Sequence, residues 1–186
     1  MTELQLHFKQ SRTSFSSNFR TLHFIFNMEK ILYLIILYLT ISAHAAELRG
    51  KVVSVSDGDT VTILEAGRHQ HKVRLAGIDA PEKAQEFGKT SKQRLLEKIF
   101  GQNVVVIWEK HDRYGRIIGK ILLNDIDICL EQIKQGMAWH YKQYQKDQTS
   151  KDREEYSDAE TFARNAYKGL WSHKDPIAPW VWRHQK

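Results

Sequence analysis

Three short stretches of this chain carry side chains that can do hydrolytic chemistry, and each has an ordinary reading beside the chemical one. Asp57-Gly58-Asp59-Thr60 is a tight-turn sequence with two acids. Arg74-Leu75-Ala76-Gly77-Ile78-Asp79-Ala80-Pro81-Glu82 places an arginine, two acids and a proline at the end of an apolar run. Asp112-Arg113-Tyr114-Gly115-Arg116 is a charged turn with a central aromatic residue. Alone, the first reads more readily as a hairpin turn with solvated acids, the second as a strand end with a charged rim and the third as a charged hairpin tip.

Together they supply the parts that phosphodiester hydrolysis requires: positive charge on the phosphate, a base for water, and donors for the charge that develops on oxygen. Asp59 and Asp79 are hard oxygen donors suited to Ca²⁺ and its flexible coordination. Pro81 biases Ala80 towards extended backbone, which makes the Ala80 carbonyl available to the same ion. Glu82 follows at once as an acceptor for a proton from water. Arg74 and Arg116 offer planar forks that match a phosphate bidentately, which lysine does not reproduce.

The elements that must position these residues are short. Val52-Val53-Ser54-Val55 and Thr60-Val61-Thr62-Ile63-Leu64 flank Asp57-Gly58, a strong hairpin signal. A third run, Lys72 to Ile78, puts Val73 and Leu75 on one face and Arg74 on the other. Val104 to Lys110 and Ile117 to Leu123 form a fourth and fifth strand around the Asp112 to Gly115 turn. Leu95, Leu96, Ile99 and Phe100 mark a first helix, with Thr90 or Ser91 as its N-cap and Gly101 as its stop. Cys129 to Gln135 is a second, short helix. Tyr156, Ala159, Ala163, Ala166 and Leu170 make the apolar stripe of a third, and the polar stretch Lys142 to Arg153 reads as a linker. The pattern predicts an α+β, mainly β fold: a five-stranded barrel of the oligonucleotide-binding (OB) type with three α-helices.

In order and spacing, Asp57 to Thr60, Arg74 to Glu82 (R-L-x-G-I-D-x-P-E) and Asp112 to Arg116 (D-x-Y-G-R) resemble the staphylococcal-type thermonucleases. Ala166 to Trp171 and Pro179-Trp180 are similar to the bacterial secreted branch of that family. The resemblance runs from about Leu48 to Arg183. It implies a Ca²⁺-dependent endonuclease acting on DNA and RNA and leaving 3′-phosphate ends. Asp59, Asp79 and the Ala80 carbonyl would hold Ca²⁺, Arg74 and Arg116 would bind the phosphate, Glu82 would be the base, and Tyr114 would lie along the bound nucleotide. Two departures stand out. The Lys83 to Gly88 loop is shorter than in the staphylococcal member, and its nucleotide-stacking tyrosine pair falls on the region of Trp139, His140, Tyr141 and Tyr144 without a clean match.

Ahead of these motifs, Ile31 to Ile41 is an apolar run too short for a comfortable membrane span, which takes roughly 20 residues. With Lys30 before it and Ala43-His44-Ala45 after it, residues 28–45 read as a signal peptide cleaved near Ala45/Ala46. Residues 1–27 read as an upstream extension, and residues 46–186 as the catalytic domain. A secreted or periplasmic monomer with no stable membrane association is expected. The full chain carries 28 basic and 22 acidic residues, a formal charge of +6. Loss of residues 1–45 would remove Lys9, Arg12, Arg20 and Lys30 with Glu3 and Glu29, leaving a mildly basic domain. Such a charge suits an anionic partner without specifying one. Cys129 is the single cysteine, so no internal disulfide forms. The spacing of the histidines does not point to zinc. The competing function is a non-catalytic nucleic-acid-binding barrel, which the joint presence of Asp59, Asp79, Glu82, Arg74 and Arg116 disfavours.

Overall fold

The computed structural model describes residues 46–185; the signal-peptide expectation for residues 28–45 lies outside them. Strands β1 (Ala46–Asp57), β2 (Thr60–Glu65) and β3 (Gln70–Leu75) form an antiparallel meander. A two-residue strand β4 (Ile78–Asp79) follows, then helix α1 (Gly88–Ile99). Strands β5 (Asn103–His111) and β6 (Ile117–Leu123) make the second hairpin. β5 pairs antiparallel with β1, and β6 returns to pair parallel with β3 through Val73–Ile117, Arg74–Ile118 and Leu75–Gly119. That last ladder closes five strands into the expected OB barrel, in the order β3-β2-β1-β5-β6.

Alternation fills the barrel. Val52, Val61, Ile63, Val73, Val106 and Ile121 are fully buried, while Arg74 and Ile118 point outward between them. Helix α1 closes one end with Leu95 and Ile99. Helix α2 (Ile128–Lys134) adds Ile128, Cys129 and Ile133, and α3 (Ser150–Asn165) adds Tyr156 and Ala159. Asp127 caps α2 through the Leu130 N–H and also accepts from the Tyr156 hydroxyl at 2.8 Å, which ties α3 to α2. A smaller cluster of Trp139, Ala163, Leu170, Trp171 and Ala178 buries the start of the C-terminal segment, with Phe87 and Trp180 packed on it. Arg164 lies over the Trp171 ring at 3.9 Å, a cation–π contact that roofs this cluster. Burial pushes the Cys129 thiol pKa up, so the thiol is inert in the folded chain and cannot bridge two copies.

Four local expectations are corrected. Helix α1 starts at Gly88 with Phe87 in a left-handed conformation (φ 62°) rather than at a Thr90 or Ser91 cap. Ser91 is instead turned into the core, where its hydroxyl donates to the Met137 carbonyl at 2.7 Å; a buried long-range acceptor outcompetes the local capping role. Phe100, read as part of the buried stripe, is exposed just past the helix end. The supposed linker holds a 3₁₀ segment (Lys142–Asp147), and α3 begins at Ser150 under a Thr149 cap. Its polar residues simply line the outer face. Leu170 is not on that helix: Tyr167 and Gly169 adopt positive φ, and Leu170 falls in a separate 3₁₀ turn.

Candidate active site

The β1–β2 hairpin delivers Asp59. Its turn is held from inside: Gln132 of α2, buried, donates to the Gly58 carbonyl at 2.8 Å. A Cβ on Gly58 would sit 1.9 Å from the Ser91 hydroxyl and 2.7 Å from the Ala80 Cβ, so only glycine allows this turn to approach the Asp79-Ala80 strand. The Asp59 N–H donates to Asp57 at 3.1 Å. Asp79 arrives because the third apolar run is not one strand. Gly77 takes φ 74°, breaking it after Leu75, and β4 turns away to pair with β7 (Trp139–His140).

The two acids converge there. The Ala80 N–H donates to Asp59 Oδ2 at 2.7 Å, and Thr60 donates to Oδ1 at 3.1 Å. Arg74 forks between them, 3.0 Å from Asp59 and 2.8 Å from Asp79, while also donating to the Leu75 carbonyl. One guanidinium therefore reaches both carboxylates. Asp59 is 6% and Asp79 1% exposed, so both charges are largely dry. Burial pushes the Asp59 pKa up to about 7; Arg74 opposes this, Asp57 and Asp79 add to it, and the Ala80 N–H lowers it slightly. Two buried carboxylates converge here, and their donor atoms are all hard oxygens. That donor set fits a Ca²⁺-type ion.

Glu82 lies beyond Pro81, partly exposed, at the head of the loop leading to α1. Arg183 meets it there. This residue, from the far end of the chain, forks on Asp79 at 2.8 and 3.3 Å and reaches Glu82 at 2.9 Å. Hydrogen bonds to Asp79, then to Glu82, push the Arg183 pKa up against a partial burial penalty. Arg183 lies outside all three motifs. Its partners lie 101 and 104 residues away, and the only sequence signal was a basic residue ending the aromatic run Trp180-Val181-Trp182.

Tyr114 and Arg116 occupy the tip and base of the β5–β6 hairpin. Arg116 precedes the buried Ile117 and so points outward, as Arg74 does. Because Arg74 pairs with Ile118 on the neighbouring strand, Arg116 lies on the same barrel face about 6–7 Å further along. It is not in contact with Asp59 or Asp79; its Nε donates to Asp112 at 2.6 Å. Asp112 also accepts from the backbone N–H groups of Tyr114 and Arg116. Burial raises the Asp112 pKa, and the bonds from Arg116 and Tyr114 outweigh that and hold it low. Tyr114 is 68% exposed, with Arg113 and Arg116 over its ring.

The structure thus brings Asp59, Asp79, Ala80, Arg74 and Glu82 together and sets Arg116 and Tyr114 at one rim. Asp112 anchors Arg116 and was seen in the sequence only as part of a motif. If Arg116 binds phosphate, Asp112→Ala should lower kcat about 10–100-fold with little change in KM, since misplacement of about an ångström has that effect. Wild-type kinetics for that variant would remove the anchoring role. Of the aromatic candidates, Trp139 is buried and edge-on to Trp171, so it is a core residue; His140 is buried against Gln148 and Tyr156. Tyr141 stacks on Trp180 with centroids 5.4 Å apart, and Tyr144 is exposed.

A closed OB barrel with helices over one end and paired buried carboxylates at the strand ends defines a phosphodiester-cleaving hydrolase of the thermonuclease class. Residues 72–173 match the family described as staphylococcal nuclease homologue, and the chain belongs to that family. An Escherichia coli protein named as an uncharacterized endonuclease is 35% identical over 86% of this chain and 100% of its own length. A Haemophilus influenzae protein of the same name is 41% identical over 82% of this chain and 83% of its own. A Shigella flexneri protein named micrococcal nuclease is 40% identical over 74% of this chain and 82% of its own.

Proposed function

We propose that this chain is a Ca²⁺-dependent endonuclease that hydrolyses DNA and RNA and leaves 3′-phosphate ends, working as a secreted or periplasmic monomer. The observation that carries the reading is the convergence of the buried Asp59 and Asp79 carboxylates on one arginine, beside Glu82. Asp59, Asp79 and the Ala80 carbonyl are the ligands for Ca²⁺, which when bound supplies positive charge to the scissile phosphate.

The chain's own residues do the rest. Glu82 takes a proton from the attacking water as its oxygen adds to phosphorus, and the 5′ oxygen leaves as a hydroxyl that takes its proton from solvent. Arg74 and Arg116 flank the phosphate and stabilise the charge on its equatorial oxygens. Arg74 is held ready by the two aspartates, and Arg116 by Asp112. Exposed Tyr114 at the rim lies along the nucleotide.

Plasmid and RNA cleavage with and without EGTA, followed by end-group analysis, tests this directly. Cleavage is expected in Ca²⁺ only, with 3′-phosphate products; full activity in EGTA would remove the calcium assignment. Export is tested by the intact mass of native protein from the producing cells. A start at Ala46 or Glu47 is expected, and a mature chain retaining Ile31 to Ile41 would contradict it.

A further inference from the structure

The loop from Glu82 to Phe87 is folded on itself: Gln85 N–H donates to the Glu82 carbonyl at 2.8 Å, and Gly88 N–H to the Gln85 carbonyl at 3.0 Å. It also meets the C-terminal segment repeatedly. The buried Gln85 side chain accepts from the Glu82 N–H at 3.1 Å and donates to the Ile177 carbonyl at 2.6 Å. Arg183 reaches the Glu82 carboxylate, His173 lies 3.2 Å from Glu86, and Phe87 packs on the cluster that holds Ala178 and Trp180. The segment is itself fixed. Helix α4 (Pro179–Trp182) lays Trp180 flat on Tyr141 and edge-on to Trp139.

We propose that the C-terminal segment is a strap that holds the Glu82 loop in its working position, and that Arg183 is the positioning residue that sets the Glu82 carboxylate against Asp79. The physical case is that a short, half-exposed loop cannot fix a carboxylate by itself. In the metal-free protein Glu82 and the buried Asp79 would also repel each other across dry protein without a cation between them. Arg183 supplies that cation in a planar fork, which fixes the geometry of the two carboxylates where an ammonium acts only as a point charge. Gln85 sets the backbone of the loop from below while Arg183 sets the side chain from above.

The inference rests on the proposed role of Glu82, so the experiment separates the two. Arg183→Gln, Arg183→Lys, Gln85→Leu and Glu82→Gln in the full exported chain are compared by steady-state kinetics and by hydrogen exchange over residues 82–88. Exchange in β1 and β5 serves as the check that the barrel is folded. Both Arg183 variants should lower kcat by about tenfold or more with KM changed less than about threefold. Both should also speed exchange in the loop by about tenfold or more while the barrel strands stay protected. Gln85→Leu should move both readouts the same way, which keeps the test available if an Arg183 variant is poorly folded.

Unchanged loop exchange in Arg183→Gln overturns the strap, as does faster exchange with kcat unchanged where Glu82→Gln is impaired. A higher kcat also overturns it, since it would mark the contact as inhibitory. Full rescue by lysine overturns the need for the bridging fork. If Glu82→Gln stays fully active, the base assignment fails; faster loop exchange in Arg183→Gln would then still support the strap as the holder of the loop.

Discussion

Arg116→Lys is expected to lower kcat by at least about 10²-fold with little change in KM. Removing one preorganised donor has effects of about 10²–10³, and a transition-state arginine can contribute up to about 10⁵. The structure gives the reason lysine cannot substitute. The Arg116 Nε is the atom that Asp112 holds at 2.6 Å, so the anchor uses one side of the guanidinium and leaves its two terminal nitrogens for the phosphate. Lysine has no atom in the Nε role and would lose anchor and fork together. Arg74→Lys should behave alike, with some loss of substrate affinity, because Arg74 also bridges Asp59 and Asp79. Were these arginines only a basic surface, lysine would keep kcat within a few-fold and salt would weaken wild type and variants in parallel. Kinetics at two salt concentrations decide it.

Asp59→Asn should abolish Ca²⁺-supported cleavage and yet stabilise the metal-free protein near pH 8. The first part follows from losing a charged ligand: even outer-shell partners of a metal site are worth about 10–100-fold in affinity, so a direct ligand should exceed that. The second follows from the raised pKa. The folded value of about 7 lies above the unfolded value of 3.8, so ionised Asp59 is a burden above pH 7, relieved as the pH falls through 7 towards 4. Asparagine removes the burden without emptying the site. Its carbonyl can accept from the Ala80 N–H and Arg74 as Oδ2 does, and its amide can donate to the Thr60 hydroxyl. The variant's melting temperature should exceed that of wild type by a few degrees at pH 8, and the gap should close towards pH 4. Saturating Ca²⁺ should raise the wild-type melting temperature and leave the variant nearly unmoved; at about 100 times Kd the gain is about 2.7 kcal/mol. A variant less stable than wild type at pH 8, or equally stabilised by Ca²⁺, would contradict the assignment of Asp59.

Both tests bear on residues whose chemical type is visible in the sequence, and the boundary between what sequence and tertiary structure determine is physical. Local spacing determined a great deal. Asp57-Gly58 marks a hairpin because few dipeptides turn a chain so tightly, and the hairpin is there. Alternation along Lys72 to Leu75 fixes Val73 inward and Arg74 outward, since successive side chains of a strand face opposite ways. The Tyr156, Ala159 and Ala163 stripe identifies the buried face of the third helix for the corresponding reason.

Tertiary structure alone decided what meets what. Nothing near Arg74 says that β3 will close the barrel against β6, or that its fork will bridge acids from two different strand ends. Ser91 left its predicted cap for the Met137 carbonyl, Trp139 went to the core, and Gln132 reached back to the Gly58 turn. Arg183 came to Asp79 and Glu82 across more than a hundred residues. Periodicity records which face a residue presents, because that is set by its own backbone. It holds no record of the partner on that face, which is set by how the whole chain closes and by which buried charges must then be neutralised.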